Sequence, residues 1–369
     1  MSHLLIAAKY LWSAGRLLRD HDITLQDGKV TDVTPRGGDA PDINAHLASV
    51  PFSDLQVNGG GGVMVNSDPS VAGLQAVAAA HRRLGTGDIL PTVITDRPEV
   101  MEAAARAVAE CAGDTGILGL HIEGPHLSPA RRGTHEAAYL RPLDGRTVAL
   151  VEGLRARDIA VMITLAPERA DPGLLGALVA CGAVVSAGHS SATADQARAA
   201  FGAGVGCVTH LFNAMDQMTS RAPGLLGAAI NAPVACGIIC DGIHVSWDML
   251  RLALAARPAG GRTFVVSDAM GTVGGPDSFE LYGRTISVVD GRLVNAEGAL
   301  AGAHIDMRQS LCNLCCKLGL PLQEALPMLS DVPRAVMGLG PRRIERGTAQ
   351  DDLVCLDADW RMIDMARPD

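Results

Sequence analysis

Several features that would assign the chain to other classes of protein are absent from its sequence. No run of basic residues is long enough to form a nucleic-acid-binding patch, and the formal net charge of the 369-residue chain is −9. No apolar run approaches the roughly 18 residues of a membrane-spanning helix. Lys9 and Arg16 interrupt the apolar stretch in which the hydrophobic region of a secretory signal would lie. We therefore expect a cytoplasmic protein that binds neither nucleic acid nor membranes.

The chain also lacks low-complexity segments and a zinc-ribbon pattern. Its 42 glycines and 20 prolines are dispersed as turn residues. Its 9 cysteines are odd in number and lie mostly at apolar positions, which is typical of buried thiols in a reducing compartment. Cys312, Cys315 and Cys316 form a single Cys-x-x-Cys-Cys without the second pair that a zinc ribbon requires. We therefore expect these thiols in the core.

Strand and helix signals alternate through the central part of the chain, and 48% of all residues are hydrophobic, which is enough for a large core. Short apolar runs predict strands, and most of them precede a segment with helical periodicity. The predicted strands are Phe52–Val57, Asp88–Thr95, Gly116–Glu123, Ile159–Leu165, Ala183–Ala187, Gly206–Phe212, Ala235–Cys240 and Thr263–Ser267. This α/β alternation favours a (β/α)8 TIM-type barrel over residues 51–340. An open doubly wound sheet is the competing layout, but the G-x-G-x-x-G turn expected after its first strand is missing.

The two ends of the chain differ from its centre. Residues 1–50 contain short strand signals around Asp27-Gly28, a dipeptide typical of tight hairpins. Residues 341–369 contain one similar strand signal, Asp352–Asp357, with charged residues at both ends. We predict that the N- and C-terminal segments pair into one small β-sandwich domain. Two independent appendages are the alternative.

Polar residues follow several of the predicted barrel strands. They are Glu123, His189, His210, His244 and Asp268. A single histidine is more often an ordinary core or surface residue, and a lone glutamate at a Gly-Pro break would suit a turn that faces water. The carboxyl ends of parallel barrel strands converge on one mouth, however, so the whole set favours a functional site. One glutamate and two histidines are a common ligand set for a catalytic divalent ion, and the aspartate is then free to carry a proton.

Ordered motifs are spread along the barrel. They are Gln56-Val57-Asn58-Gly59, His121-Ile122-Glu123-Gly124-Pro125, Ala187-Gly188-His189-Ser190, Thr209-His210-Leu211-Phe212-Asn213-Ala214-Met215 and Ser267-Asp268-Ala269-Met270. Each motif alone is weak evidence, whereas the ordered set is specific. From about Ser53 to Gly340 the chain resembles the N-acetylglucosamine-6-phosphate deacetylases, a family of the amidohydrolase superfamily.

The resemblance implies metal-dependent hydrolysis of the acetamide of N-acetyl-D-glucosamine 6-phosphate, in amino-sugar catabolism or recycling. Glu123, His189 and His210 match the metal ligands of the family. Asp268 matches its catalytic acid and base, and His135 matches a histidine that polarises the acetyl carbonyl.

The resemblance also implies residues that bind the phosphosugar. Arg221 and His244 match a phosphate-binding pair, which in this family is completed across the interface of a homodimer. The other implied substrate-binding residues are Gln56, Thr134, Asn213, Ala214, Leu300, Ala301 and Gly302.

The first barrel strand departs from the two-metal members of the superfamily. Those members usually carry His-x-His there, whereas this chain has Gln56-Val57-Asn58. Neutral amides are poor ligands for zinc. We therefore predict one divalent metal ion per subunit, with zinc as the leading candidate and iron or another divalent ion as alternatives.

Three alternative functions make different demands on the sequence. The galactosamine epimer of the substrate is not separated by the motifs. An amidohydrolase that acts on cyclic amides would need His-x-His on the first strand and a bridging lysine near the fourth, and neither is present. A non-catalytic sugar-phosphate-binding protein would be expected to lack a metal ligand or Asp268, and all of these residues are present.

Overall fold

The computed structural model describes residues 3–113, 116–258, 262–294 and 300–365. The strands, in chain order, are β1 (His3–Ser13), β2 (Arg16–Gln26), β3 (Lys29–Pro35), β4 (Ile43–Ser49), β5 (Phe52–Val57), β6 (Gly59–Gly60), β7 (Val63–Met64), β8 (Thr86–Ile94), β9 (Gly119–Glu123), β10 (Ala160–Leu165), β11 (Val184–Ala187), β12 (Cys207–Val208), β13 (Ala235–Ile238), β14 (Thr263–Val265), β15 (Ser278–Leu281), β16 (Arg284–Val289), β17 (Arg292–Val294) and β18 (Val354–Leu356).

The α-helices begin at recognisable capping residues in several cases. They are α1 (Val71–Arg82), α2 (Pro98–Cys111), α3 (Gly145–Arg155), α4 (Pro172–Ala180), α5 (Ala194–Gly202), α6 (Gly224–Ile230), α7 (Trp247–Ala256), α8 (Met307–Cys316), α9 (Leu322–Leu329) and α10 (Asp331–Val336). Asp144 and Ser246 each accept a hydrogen bond from a backbone N–H in the first turn of α3 and α7. Thr193 and Gln196 form a reciprocal capping box at the start of α5.

The central part of the chain forms the predicted barrel of parallel strands. An eight-stranded sheet runs in the order β5, β8, β9, β10, β11, β12, β13 and β14, so each strand pairs with the next barrel strand along the chain. Strand β5 has the predicted bounds, and β12 is much shorter than the predicted strand Gly206–Phe212. The strand stops early because the chain turns at His210 and Phe212, which have φ angles of 27° and 79°.

The barrel closes between β5 and β14 through individual contacts. The described residues there show one bridge, Val57 to Ala269, in place of a continuous ladder. The backbone N–H of Asn58 donates to the Ala269 carbonyl at 2.8 Å. The buried carboxylate of Asp54 accepts the backbone N–H of Ser267 at 3.2 Å. These contacts place the end of β5 beside the residues that follow β14.

The two ends of the chain pair with each other, as predicted, and form one small sheet. The five strands lie in the order β18, β4, β1, β2 and β3. Strand β1 pairs antiparallel with β2 and parallel with β4, and β18 pairs antiparallel with β4. The described strands of this domain therefore form a single five-stranded sheet. Its boundaries at residues 50 and 341 stay predictions, and residues 366–369 lie outside the described part of the chain.

A second small sheet covers the barrel mouth. Strands β15, β16 and β17 form an antiparallel sheet, here called the cover sheet. Its apolar side chains, among them Phe279 and Leu281, pack with Met64, Ile94 and Met270 from the barrel strands and loops. This packing fixes the cover sheet against the end of β8 and the segments that follow β5 and β14.

The cysteine prediction is only partly correct. Cys207, Cys236, Cys240 and Cys355 are buried, as expected, but on α8 Cys312 and Cys315 are only half-buried and Cys316 is exposed. The prediction of burial failed on this helix because one face of α8 is exposed to solvent. Among the described helices, none has the length and hydrophobicity that a membrane span requires.

Candidate active site

Three buried side chains meet at the carboxyl end of the barrel. The Nε2 atoms of His189 and His210 lie 3.2 and 3.0 Å from Glu123 Oε1, and 3.0 Å from each other. Glu123 ends β9, while the histidines follow β11 and β12 by two residues each. In the described part of the chain these residues form the one group of His, Cys, Asp or Glu side chains with the spacing of a metal site.

The backbone at these strand ends has an unusual conformation. His189, His210 and Asp268 have φ angles of 49°, 27° and 51°, in the left-handed region that residues with a Cβ rarely adopt. Such conformations cost on the order of 1–3 kcal/mol each and are concentrated at functional sites. Turning the chain in this way directs each side chain inward over the barrel axis.

The donor atoms fit a divalent cation. His189 Nδ1 lies 2.9 Å from the carbonyl oxygen of Arg131, so Nδ1 carries the proton and the Nε2 lone pair faces the cluster. Burial opposes the charge of Glu123, but its hydrogen bonds with both histidines hold the pKa of this carboxyl well below its usual range. The pKa of His210 is raised despite burial because of the same carboxylate. The site thus stabilises positive charge between its donor atoms.

Asp268 lies beside this cluster. Its Oδ1 accepts hydrogen bonds from Asn58 Nδ2 at 2.7 Å and from Gln56 Nε2 at 3.1 Å. The same Gln56 nitrogen donates to Glu123 Oε1 at 3.0 Å. Burial and, secondarily, the charge of Glu123 raise the pKa of Asp268 to about 6. A carboxyl group with such a pKa can both accept and return a proton near neutral pH.

His135 also lines the cavity, next to His189. Its ring centroid lies 4.4 Å from that of His189, in an edge-to-face arrangement. Its Nδ1 atom lies 2.7 Å from Thr95 Oγ1. Burial, followed by the charge of His189, lowers the pKa of His135 to about 3. The imidazole is therefore neutral at physiological pH.

These groups line a cavity of about 190 Å³. Its lining contains most of the site residues expected from the sequence, namely Glu123, Thr134, His135, His189, His210, Asn213, Ala214, His244, Asp268, Leu300 and Gly302. Ile94 and Met270 add apolar surface that sequence reasoning missed. Like the polar site residues, both lie at or after the end of a barrel strand. In the sequence, an apolar residue at such a position cannot be distinguished from an ordinary core residue.

Three expected substrate contacts do not line this cavity. Gln56 is buried behind it and bonds to Glu123 and Asp268. Ala301 lines a neighbouring pocket between the cover sheet and residues 132–136. Arg221 is exposed in the loop that precedes α6. His244, the other expected phosphate ligand, is oriented by a 2.6 Å hydrogen bond between its Nδ1 and Asp241 Oδ2.

A parallel barrel with a buried Glu–His–His cluster and an adjacent aspartate at its strand ends defines a metal-dependent hydrolase of the amidohydrolase class. Residues 45–269 match the model of the Amidohydrolase family. The chain belongs to this family and, within it, to the N-acetylglucosamine-6-phosphate deacetylases.

Characterised relatives include deacetylases for both sugar epimers. The N-acetylgalactosamine-6-phosphate deacetylase of Shewanella sp. (strain ANA-3) is 41% identical over 323 residues, which cover 85% of this chain and 79% of the relative. The N-acetylglucosamine-6-phosphate deacetylase of Haemophilus influenzae is 33% identical over 345 residues, which cover 90% and 89%.

A solved structure has the same architecture over almost the whole chain. The N-acetylglucosamine-6-phosphate deacetylase of Pasteurella multocida has a TM-score of 0.86 and 31% identity, and the match covers 98% of this chain and 97% of that one. A mutant of the Mycobacterium smegmatis enzyme in complex with N-acetyl-D-glucosamine 6-phosphate has the same TM-score, 30% identity and the same coverage.

Proposed function

We propose that this enzyme hydrolyses the acetamide of N-acetyl-D-glucosamine 6-phosphate and releases acetate and D-glucosamine 6-phosphate. The observation that carries this proposal is the convergence of Glu123, His189, His210, Asp268 and His135 on one cavity. The family membership supports the same reaction. The cytoplasmic location expected from the sequence is part of the proposal.

Glu123, His189 and His210 would hold one divalent ion per subunit, and zinc suits a site with nitrogen and carboxylate donors. Such an ion supplies Lewis-acid chemistry, which makes water a usable nucleophile at neutral pH and polarises a carbonyl group. A second ion would need ligands from β5. The side chains beside Glu123 and Asp268 at the end of β5 are the amides of Gln56 and, one residue past the strand, Asn58, which already donate to these carboxylates.

Asp268 carries the proton in this proposal. As the water oxygen attacks the acetyl carbon, the water proton passes to the Asp268 carboxylate. The amine is a poor leaving group, so Asp268 then gives this proton to the amide nitrogen as the carbon–nitrogen bond breaks. The products are acetate and the free amine.

His135 stabilises the negative charge that develops on the acetyl oxygen. The pKa of this buried imidazole is lowered to about 3, so the ring acts as a neutral hydrogen-bond donor and not as a cation. One such donor is worth about 3 kcal/mol in comparable acyl-transfer sites.

The phosphate would bind at Arg221 and His244. The fork of a guanidinium can make two charge-assisted hydrogen bonds to a phosphate, and His244 lines the cavity. Since Arg221 is exposed outside that cavity in the single chain, we propose a homodimer in which the phosphate site is completed across the interface.

Acetate release from the two 6-phosphosugar epimers, with metal content measured on the same sample, tests the proposal. We expect turnover of at least one epimer by protein that contains about one divalent ion per subunit. Binding of both phosphosugars by metal-loaded protein without acetate release would contradict it and favour a sugar-phosphate-binding protein.

The N-acetyl-D-galactosamine 6-phosphate epimer is the second candidate substrate. The 41% identity to the Shewanella enzyme favours it, and the 33% identity to the Haemophilus enzyme favours the glucosamine epimer. The ratio of kcat/KM for the two epimers in the same assay decides between them.

A further inference from the structure

The hydrogen bonds around His135 Nδ1 come from a single residue, Thr95, which follows β8. Thr95 Oγ1 lies 2.7 Å from His135 Nδ1, and the backbone N–H of Thr95 points at the same atom at a nitrogen–nitrogen distance of 3.4 Å. Both Thr95 and His135 are buried. Thr95 does not line the catalytic cavity, so it is not placed to touch the substrate, and its hydrogen bonds to Nδ1 act on the site through His135.

These contacts determine which ring nitrogen carries the proton. A backbone N–H is always a donor, so a hydrogen bond from Thr95 N requires an unprotonated Nδ1. If Nδ1 carried the proton instead, two N–H groups would face each other and the buried Thr95 N–H would lose its partner, which costs free energy. With Nδ1 as acceptor, the proton of the neutral ring lies on Nε2.

We propose that Thr95 is a positioning residue that fixes His135 as the Nε2-protonated tautomer, with its N–H available to the acetyl oxygen. This inference rests on the proposed deacetylase function. The backbone N–H requires an unprotonated Nδ1, and the hydroxyl supplies the shorter hydrogen bond that holds the ring in place.

Neighbouring residues hold Thr95 in place from two sides. The hydroxyl of Tyr282, at the turn between β15 and β16, donates to the carbonyl oxygen of Thr95. Gly124 has a φ of 79°, and a Cβ at this position would overlap the Thr95 hydroxyl. Glycine is therefore required at position 124 for two reasons. The positive φ favours a residue without a Cβ, and Thr95 Oγ1 occupies the space that a Cβ would fill.

Thr95→Val tests the proposal because valine keeps the shape and removes the hydroxyl. On the metal-loaded enzyme with the preferred phosphosugar, we expect kcat to fall by about ten- to a hundredfold, less than the loss of a whole oxyanion donor, with KM changed by less than about twofold. Thr95→Ser keeps the hydroxyl and should restore most of kcat. Wild-type kcat in Thr95→Val, or a loss that Thr95→Ser does not restore, would overturn the inference.

Thr147→Val is the matched control. Thr147 Oγ1 lies 3.0 Å from Nε2 of another buried histidine, His126, outside the catalytic cavity. This variant loses the same type of threonine–histidine hydrogen bond, so it should lower thermal stability and leave kcat within about twofold of wild type. A comparable fall in kcat in Thr147→Val would show that the effect at Thr95 is general destabilisation.

A spectroscopic measurement separates the tautomer from activity. Nitrogen NMR of zinc-loaded protein labelled in its histidine rings, with His135→Gln to assign the signal, should show a neutral ring protonated at Nε2. In Thr95→Val the ring should stay protonated at Nε2 because the backbone N–H remains, but the Nδ1 signal should shift because the 2.7 Å hydrogen bond from the hydroxyl is lost. An Nδ1-protonated ring in the wild type would overturn the inference even if the enzyme is an active deacetylase, whereas an inactive wild type would overturn the proposed function instead.

Discussion

At the scale of single residues, Asp268 has its carboxylate fixed by neutral amides. Asn58 and Gln56 both donate to Oδ1, so Oδ2 is the oxygen that can exchange a proton. The sequence identified Asp268 because it follows an apolar strand. The sequence could not show that the Gln56 amide bridges Asp268 and Glu123. The alternation of inward- and outward-facing side chains along a strand does not give distances between different strands of a barrel.

Asp268→Asn should nearly abolish turnover while the metal stays bound. The amide keeps the shape of the side chain but cannot take a proton from water, so we expect kcat to fall by at least about a thousandfold. The measurement is acetate release together with metal content. Asp248→Asn, which changes an exposed aspartate on α7, should behave as wild type. Full activity in Asp268→Asn would remove the proposed proton carrier.

At the scale of secondary-structure elements, the contact between β5 and β14 places the catalytic groups. Asp54 on β5 accepts the backbone N–H groups of Gln56 and Ser267 at 3.1 and 3.2 Å. It thereby sets the position of β5 relative to the residue before Asp268. Burial raises the pKa of Asp54 to about 7, so folding favours the protonated form of this acid.

Asp54→Asn should make stability less sensitive to pH. The pKa of Asp54 is about 7 in the folded state and about 4 in the unfolded state. Its contribution to the free energy of unfolding is therefore fully present below pH 4 and is lost as the pH rises towards 7. Asparagine does not titrate. The free energy of unfolding of the variant, relative to wild type, should therefore increase between pH 5 and pH 8 by on the order of 2 kcal/mol.

Chemical denaturation at both pH values measures this difference. Asp248→Asn is again the control, since an exposed aspartate should add no such pH dependence. An unchanged difference between Asp54→Asn and wild type at the two pH values would contradict a raised pKa at Asp54.

Most barrel elements could be predicted from local patterns, and the failures have physical causes. Strand β5 is a short buried segment bounded by Pro51 and by Asn58-Gly59, so its bounds were correct. Helix α6 was missed because its residues are buried on all sides, which removes the helical period of polar positions. The early end of β12 follows from the positive φ of His210, a conformation that geometry across the barrel imposes and the local sequence does not encode.

At the scale of the whole molecule, the position of Arg221 is the reason for proposing that two chains form the complete substrate site. The residue is exposed in the loop before α6 and does not line the cavity that holds His244. The shared site stays a prediction, because it rests on the resemblance and contacts within one chain do not test it.

Arg221→Ala should impair phosphate recognition selectively. Loss of a guanidinium–phosphate contact should raise KM for the phosphorylated sugar by about ten- to a hundredfold, with a much smaller effect on the unphosphorylated analogue. Arg198→Ala, which removes an exposed arginine on α5 that pairs with Asp195, is the matched control. Equal effects of Arg221→Ala on both sugars would refute the phosphate assignment.

Mixed dimers of Arg221→Ala and Asp268→Asn subunits decide whether Arg221 serves its own cavity or that of the partner. If Arg221 acts across the interface, each mixed dimer has one cavity with both wild-type residues, and random mixing restores about a quarter of the wild-type sites. If it acts within its own chain, every cavity lacks one of the two residues and activity at low substrate concentration stays near that of the separate variants. Light scattering on the same samples establishes whether the subunits associate, and a monomer with full wild-type activity would exclude the shared site.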